Sequence, residues 1–405
     1  MHLATTTSDR IAALDVIRGV AVMGILLANL PAFGLPGAAY YSPLPAGGTG
    51  PGDRIVWALN FVFVEGKMRG LFTLLFGAST LLVVERARAA GEDAAAVHYG
   101  RMLWLFVFGI AHLYLFWWGD ILAHYALVGS IAFAFARFPT GKLVAAGIAA
   151  LLTSWLFGLF GAAAAFSGGA EAATILRGFG APDPARMAAE TAAIRGGFWD
   201  AARYRWEAAP SPLGVLILLG PETLGTVLLG MAGLRSGFLT GGWERRRYRR
   251  WAAATLSVGW VAFAAIALVT ARSGFDPRFV FLGSVVLAGP FRVVLVIGYA
   301  CLIILLMRPG GWLTGRIAAA GRAAFSNYLG TTLLMTFVFS GWGLGLFGRI
   351  GRAEMYWLAP LAWALMLAWS APWLRRYRHG PLEWLWRSLS RRSLQPMRLI
   401  PPARN

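Results

Sequence analysis

Ten times along the chain a long apolar run is followed by a short polar or glycine- and proline-rich break. The runs cover 14–34, 55–84, 102–118, 121–137, 143–166, 212–234, 251–271, 279–307, 323–342 and 356–373. Several exceed the roughly 18 residues that a helix needs to cross the hydrocarbon of a bilayer. They lack the strict alternation of apolar and polar positions that strands of a membrane barrel require. The pattern therefore predicts an all-α fold, a polytopic transmembrane helical bundle of about ten spans.

Two runs are irregular. Residues 55–84 carry Glu65, Lys67 and Arg69 in mid-run, and residues 279–307 contain Gly289-Pro290, which predicts a kink and not a loop. Read as one span each, they put both termini on the same side. Loops 85–101, 138–142, 235–250 and 308–322 and the tail from 374 share that side. They hold "ERRRYRR" (244–250), "WLRRYRH" (373–379) and "SRRS" (390–393). The positive-inside rule makes this side, and with it the N- and C-termini, cytoplasmic. Loops 35–54, 119–120, 167–211, 272–278 and 343–355 face the other way and are poorer in Arg and Lys for their length. The longest, 167–211, balances its arginines with Glu171, Asp183, Glu190, Asp200 and Glu207, and reads as an external helical cap. The expected organisation is 1–166 for the first helices, 167–211 for the cap, 212–373 for the remaining helices and 374–405 for a basic tail.

Composition agrees with a membrane bundle. The chain is 58% hydrophobic and 14% charged, more apolar than a soluble fold of its length requires. A net charge of +19 raises the question of nucleic acid. The arginines, however, sit in short loops between spans, where a cytoplasmic rim meets anionic lipid. Cys301, the single cysteine, lies inside an apolar run, so neither an intrachain disulfide nor a thiolate metal cluster is expected.

Candidate chemistry lies in the ionisable groups within the runs. A charge near the bilayer centre costs about 2.5–3.5 kcal/mol on insertion scales, so such groups pair with one another or border a wet cavity. "LDVIRGVAVMGILLANL" (14–30) places Asp15 and Arg18 on one helix face and Asn29 near the far end. In "VEGKMRGLFTLLFGAS" (64–79), Glu65, Lys67 and Arg69 cannot face lipid, and Gly66 and Gly70 suit a broken helix lining a cavity for an anionic or acyl-bearing ligand. "HLYLFWWGDILAHYAL" (112–127) folds as a hairpin about Trp118. That sets His112 and His124 at similar depth on adjacent helices, with Asp120 at the rim to orient an imidazole. "GRAAFSNYLGTT" (321–332) adds Asn327 and Tyr328, and Glu222 near the outer end of its span is a further acid or base. No metal site is expected, because the helical H-x-x-x-H and cysteine spacings are missing. "WLRRYRHGPLEWLWRSLS" (373–390) reads as an interfacial amphipathic helix on anionic lipid.

Taken in order, "LDVIRGVAVMGILLANL", "EGKMRGLFTLLFGAS", "GIAHLYLFWWGDILAHYALVG", "ETLGTVLLGMAGLRSGFL", "GRAAFSNYLGTTLL", "GLGLFGRI" and "RHGPLEWLWR" resemble the successive blocks of the bacterial YeiB family of inner-membrane proteins. The first block also resembles the opening helix of the transmembrane acyltransferase superfamily, to which lysosomal heparan-alpha-glucosaminide N-acetyltransferase belongs. That resemblance implies an acyl donor such as acetyl-CoA on the cytoplasmic side and an acceptor, commonly a sugar, on the other. It assigns Asp15, Arg18 and Gly19 to the superfamily's helix-one motif. Loop 35–54 has no histidine, where that acyltransferase places its candidate catalytic one, so His112 must serve here.

The resulting expectation is a bacterial inner-membrane acyltransferase with His112 as general base, Asp120 as its orienting group and Glu222 in reserve. Lys67, Arg69 and Arg18 would hold donor phosphates or the oxyanion. Asp15, Asn29, Glu65, His124, Asn327 and Tyr328 would complete the substrate- and donor-binding set. No cofactor is expected to be bound permanently, and acyl-CoA enters as a substrate. The expected partners are membrane lipids and a small molecule, with a homo-oligomer allowed and nucleic acid excluded. The competing expectation is a transporter or exporter of a small anionic metabolite that uses the same buried groups.

Overall fold

The computed structural model describes residues 7–399; residues 1–6 and 400–405, the outermost parts of the first expected segment and of the basic tail, lie outside the described residues. Helices α1 (Thr7–Gly34), α2 (Pro51–Phe63), α3 (Lys67–Ala89), α4 (Ala94–Ala111), α5 (Leu122–Ala132) and α6 (Thr140–Ser167) form the first half. The short helices α7 (Gly169–Leu176), α8 (Pro184–Arg195) and α9 (Phe198–Ala208) follow. The second half comprises α10 (Pro212–Arg235), α11 (Arg245–Arg272), α12 (Pro277–Phe281), α13 (Ala288–Leu306), α14 (Trp312–Arg322) and α15 (Ala324–Phe339). It ends with α16 (Arg352–Met355), α17 (Leu358–Arg376) and α18 (Pro381–Ser390). Among the described residues there is no strand, only one isolated bridge between Tyr377 and Arg398.

Eight helical stretches are long and apolar enough to cross a membrane, and the shorter apolar stretches Leu122–Phe135 and Ala324–Phe339 bring the number to the expected ten. The chain is a membrane protein built as a helical bundle. In hydrocarbon a helix cannot leave a backbone N–H or C=O unpaired. Where these helices break, the repair is therefore visible in the side chains.

The run 55–84 breaks between α2 and α3. Gly66 takes φ +72, a left-handed conformation that costs a glycine little. Its missing side chain also makes room for Arg292, since a Cβ there would stand 2.5 Å from Nε. The buried Lys67 turns back and donates to the Phe61 carbonyl at the end of α2. Its ammonium sits 3.2 Å from the centroid of the Phe263 ring.

The kink expected at Gly289-Pro290 is realised upstream instead, as a widened π turn at Leu282–Leu287 that joins α12 to α13 in one continuous span. Pro290 has no N–H for the carbonyl of Val286 four residues earlier. The indole of Trp155 donates to that oxygen instead, at 3.1 Å.

The segment 308–322, expected as a loop, is largely the helix α14, packed along α1. Backbones touch there: a Cβ on Gly19 would lie 2.1 Å from the Ile317 carbonyl oxygen, and one on Gly321 would lie 1.9 Å from that of Asp15. Glycines at both crossings give α14 a packing site that the apolar run alone does not reveal.

The cap formed by α7–α9 is pinned by four attachments. Glu190 accepts from the backbone N–H of Gly37, Arg195 donates to the Phe347 carbonyl at 2.8 Å, and the Gly341 N–H donates to Ile194 O at 2.9 Å. The fourth attachment is the buried Arg205, which donates to the carbonyls of Tyr114 (3.1 Å) and Leu115 (2.6 Å). These lie in the widened last turn of α4, whose carbonyls have no donor within the helix. The arginine-poor loops thus gather at one end of the bundle. At the other end Arg235 joins Glu85 to the carbonyls of Ala136 and Phe138, and Arg391 lies 3.6 Å from Glu92.

With the lone cysteine removed as Cys301→Ser, single cysteines at the exposed positions Thr49 and Arg246 test the orientation. Thr49→Cys is expected to react with a membrane-impermeant maleimide in intact cells, and Arg246→Cys only after permeabilisation; the reverse pattern would invert the assignment.

Candidate functional site

His112 opens the π turn that ends α4, and this widened turn directs its ring toward α15. Nδ1 lies 2.8 Å from Asp120 Oδ1 and Nε2 lies 3.0 Å from the Thr332 hydroxyl. Both side chains of the His112–Asp120 pair are only 2% exposed, which shuts the pair away from lipid. The other oxygen of Asp120 accepts from the Ala123 N–H at 2.8 Å, so one carboxylate caps the first turn of α5 and holds the imidazole. Facing that carboxylate, Nδ1 is the protonated nitrogen, and Nε2 is left to accept the hydroxyl proton of Thr332. The rings of Tyr328 and Trp117 complete the enclosure at 5.4 and 6.2 Å. Thr332 and Tyr328 also line a narrow crevice between α1 and α15, together with Asn29 and Thr331.

A second buried group lies at the break between α2 and α3. Glu222 of α10 accepts from Arg292 of α13 at 2.8 Å and from Arg69 of α3 at 3.5 Å. Arg292 also donates to the Ser284 carbonyl in the π turn at 2.7 Å. One carboxylate thereby ties three spans together. Glu65 lies within electrostatic reach of Arg292 and Lys67. One of its oxygens is buried without a hydrogen-bond partner among the described residues.

The expected site residues do not all meet. His112 and Asp120 do, and Asn29 and Tyr328 stand beside them across the crevice. His124 turns to α10 and bonds the Thr223 hydroxyl at 2.8 Å. The reason is helical phase: Ala123 packs against α4 at Gly109, so residue 124, about 100° further round the helix, faces another neighbour. Glu222 is not in reserve for His112, because its charge is committed to two arginines. Lys67 caps a helix end. Arg18 bonds Asp15 (3.0 Å) and Ser79 (2.9 Å), and Ser79 lies ten residues beyond Arg69 on α3, roughly 15 Å along the helix. Arg18 therefore does not join Lys67 and Arg69. Asn327 is a staple, bonded to the Ala320 carbonyl, Ser370 and the Trp369 indole.

Sequence reasoning did not pick out Thr332, Thr223 or Arg292. The threonines carry no signal, because a hydroxyl costs little in an apolar helix. Arg292 was visible as a charge within the run 279–307.

The family described as "Protein of unknown function (DUF418)" matches residues 234–393. The "Uncharacterized protein YeiB" of Escherichia coli K12 is 34% identical over 408 residues, covering 96% of this chain and 98% of that protein. The "Uncharacterized protein YxaH" of Bacillus subtilis is 29% identical, covering 97% of each chain. This chain belongs to the YeiB family. An uncharacterised 39.9 kDa protein from Bacillus acidopullulyticus is 27% identical over 94% of each chain. No solved structure matches the chain.

Glu222 carries the central contact of the second group. Glu222→Ala leaves two guanidinium groups facing each other in the bundle. It is expected to cost about 3–5 kcal/mol, seen as a lowered unfolding temperature in detergent. Adding Arg292→Met to Glu222→Ala should recover a large part of that loss; an unchanged unfolding temperature in the single variant would show that the cluster does not hold the spans together.

Proposed function

We propose that this YeiB-family protein is an acyltransferase of the bacterial inner membrane. In this reading it moves an acyl group from a cytoplasmic acyl-CoA-type donor to a hydroxyl or amine acceptor at the outer face. The observation that supports it is the sequence of contacts Asp120–His112–Thr332, which ends at a crevice. A carboxylate on Nδ1 and a hydroxyl on Nε2 is the arrangement by which an imidazole becomes a general base.

The acceptor hydroxyl or amine replaces Thr332 at Nε2 and gives its proton to His112, while Asp120 stabilises the imidazolium. Thr332 keeps a partner in the Tyr328 carbonyl, 3.3 Å from its hydroxyl. The acceptor's heteroatom bonds to the acyl carbonyl carbon, the acyl–sulfur bond breaks, and the departing thiolate takes the proton from His112. Asn29, across the crevice, supplies an amide N–H toward the oxyanion. The basic cytoplasmic rim attracts the donor's phosphates. Arg18 and Asn29 lie eleven residues apart on α1, so the acyl group must reach roughly 16 Å along the helix from one end of the path to the other.

Protein in nanodiscs is expected to release free thiol from an acyl-CoA in the presence of an acceptor. His112→Ala should lower that rate by about 10²–10⁴-fold, with Asp120→Asn close behind, while the unfolding temperature stays near that of the unaltered protein. Thiol release that is indifferent to His112, or absent with every acyl-CoA, would end this reading.

A second reading, transport of a small anionic metabolite, draws on the Glu222–Arg292–Arg69 group at a helix break, where transporters place their binding sites. It expects counterflow in proteoliposomes that Glu222→Gln abolishes and His112→Ala leaves intact.

A further inference from the structure

In the segment 373–390, expected as an interfacial amphipathic helix on anionic lipid, α18 docks against the bundle. The acidic residue of α18, Glu383, reaches the first turn of α15: one oxygen accepts from the N–H groups of Phe325 (2.7 Å) and Ser326 (3.0 Å), the other from the Ser326 hydroxyl (2.5 Å). A carboxylate there satisfies unpaired N–H donors and meets the positive end of the helix dipole. The Trp386 indole donates to the Arg101 carbonyl at 3.0 Å, and the Arg101 guanidinium lies 4.0 Å over the Trp386 ring. So docked, α18 is closed against α4 and α15 at the arginine-rich end.

Docking brings like charges together. Arg387 stands within electrostatic reach of Arg391, Arg18 and Arg86, and Arg101 within reach of Arg387 and Arg391. Arg322 lies near Asp15 and His379. The neighbouring carboxylates are already engaged: Asp15 with Arg18, Glu92 with Arg391, and Glu383 with the end of α15. Among the described residues, no carboxylate comes within bridging distance of Arg86, Arg101, Arg322 or Arg387. Arg86, Arg322 and Arg387 are exposed. Guanidinium groups gathered without carboxylate partners repel one another, and a bound anion relieves that repulsion. Planar forks of this kind match phosphate oxygens two at a time.

We infer that this cluster, Arg18 with the exposed Arg86, Arg322 and Arg387, is a binding site for the phosphate group of an anionic ligand. Two sources carry that chemistry at a cytoplasmic membrane face: the headgroup of an anionic phospholipid and a soluble phosphate ester. The soluble case rests on the acyl-transfer reading, since CoA is such an ester; the lipid case stands without it.

The full-length protein in a neutral detergent tests both. Phosphatidic acid added to the micelles and, separately, CoA without an acyl group are the probes, read as a rise in unfolding temperature and as apparent affinity. At least one probe is expected to stabilise the protein. Arg86→Gln with Arg387→Gln should weaken it by ten-fold or more, as should Arg322→Gln alone, whereas Arg246→Gln, on another exposed part of the same end, should leave it unchanged. Stabilisation by the lipid alone supports the site and counts against the acyl-transfer reading. Stabilisation by neither, or an equal loss with Arg246→Gln, overturns the site.

Discussion

A helix inside hydrocarbon must find a partner for every backbone group it frees, and this bundle breaks its helices repeatedly. Apart from the Trp155 indole, the side chains that close the breaks are basic. Lys67 serves the end of α2, Arg205 the end of α4 and Arg292 the π turn before α13, while Arg235 ties the end of the α5 stretch to Glu85. Arg352 does the same for the Ala39 and Ser42 carbonyls in the loop after α1. Arg205, Arg235 and Arg352 each meet two carbonyls, while Lys67 and Arg292 meet one carbonyl and add an aromatic ring or a carboxylate, so desolvation is offset by more than one contact. These side chains hold the interrupted path that brings α1, α15 and the α4–α5 hairpin together.

This constraint also explains which parts of the structure were legible in the chain. The ten spans were readable because length and apolarity are one-dimensional properties, and the parity of basic loops needs no geometry. The exception is instructive. Residues 308–322 look like a loop because they are short and carry Arg316 and Arg322, yet glycines on both α1 and α14 let two backbones meet. Contact between glycines leaves no hydropathy signature. The proline at 290 predicted a distortion correctly in kind but misplaced it, because the carbonyl it orphans lies a turn earlier and was claimed by Trp155, 131 residues upstream of that carbonyl.

The candidate site was legible to the extent that its partners are local. Asp120 is eight residues from His112 across a hairpin, and chemistry alone suggested their pairing. Thr332, 220 residues away, could not be found in that way. The charges at 65–69 misled for a physical reason. An isolated cation in an apolar run signals either a ligand or a broken backbone, and the two have the same composition. Lys67 proved to belong to the second kind, and Arg69 and Glu222 to a tie between spans.

That distinction gives a criterion for function. A buried charge that spends its hydrogen bonds on backbone carbonyls is accounted for by the fold. The imidazole of His112 makes no such bond: both ring nitrogens meet side chains, one ionic and one a hydroxyl, and that hydroxyl borders a crevice. The fold gains little from a histidine here, since the Asp120 carboxylate already caps α5 and Thr332 already has the Tyr328 carbonyl as a partner. A basic nitrogen held in one tautomer, between groups that are satisfied without it, is costly to keep as mere packing. It is this arrangement on which the proposed proton transfer rests.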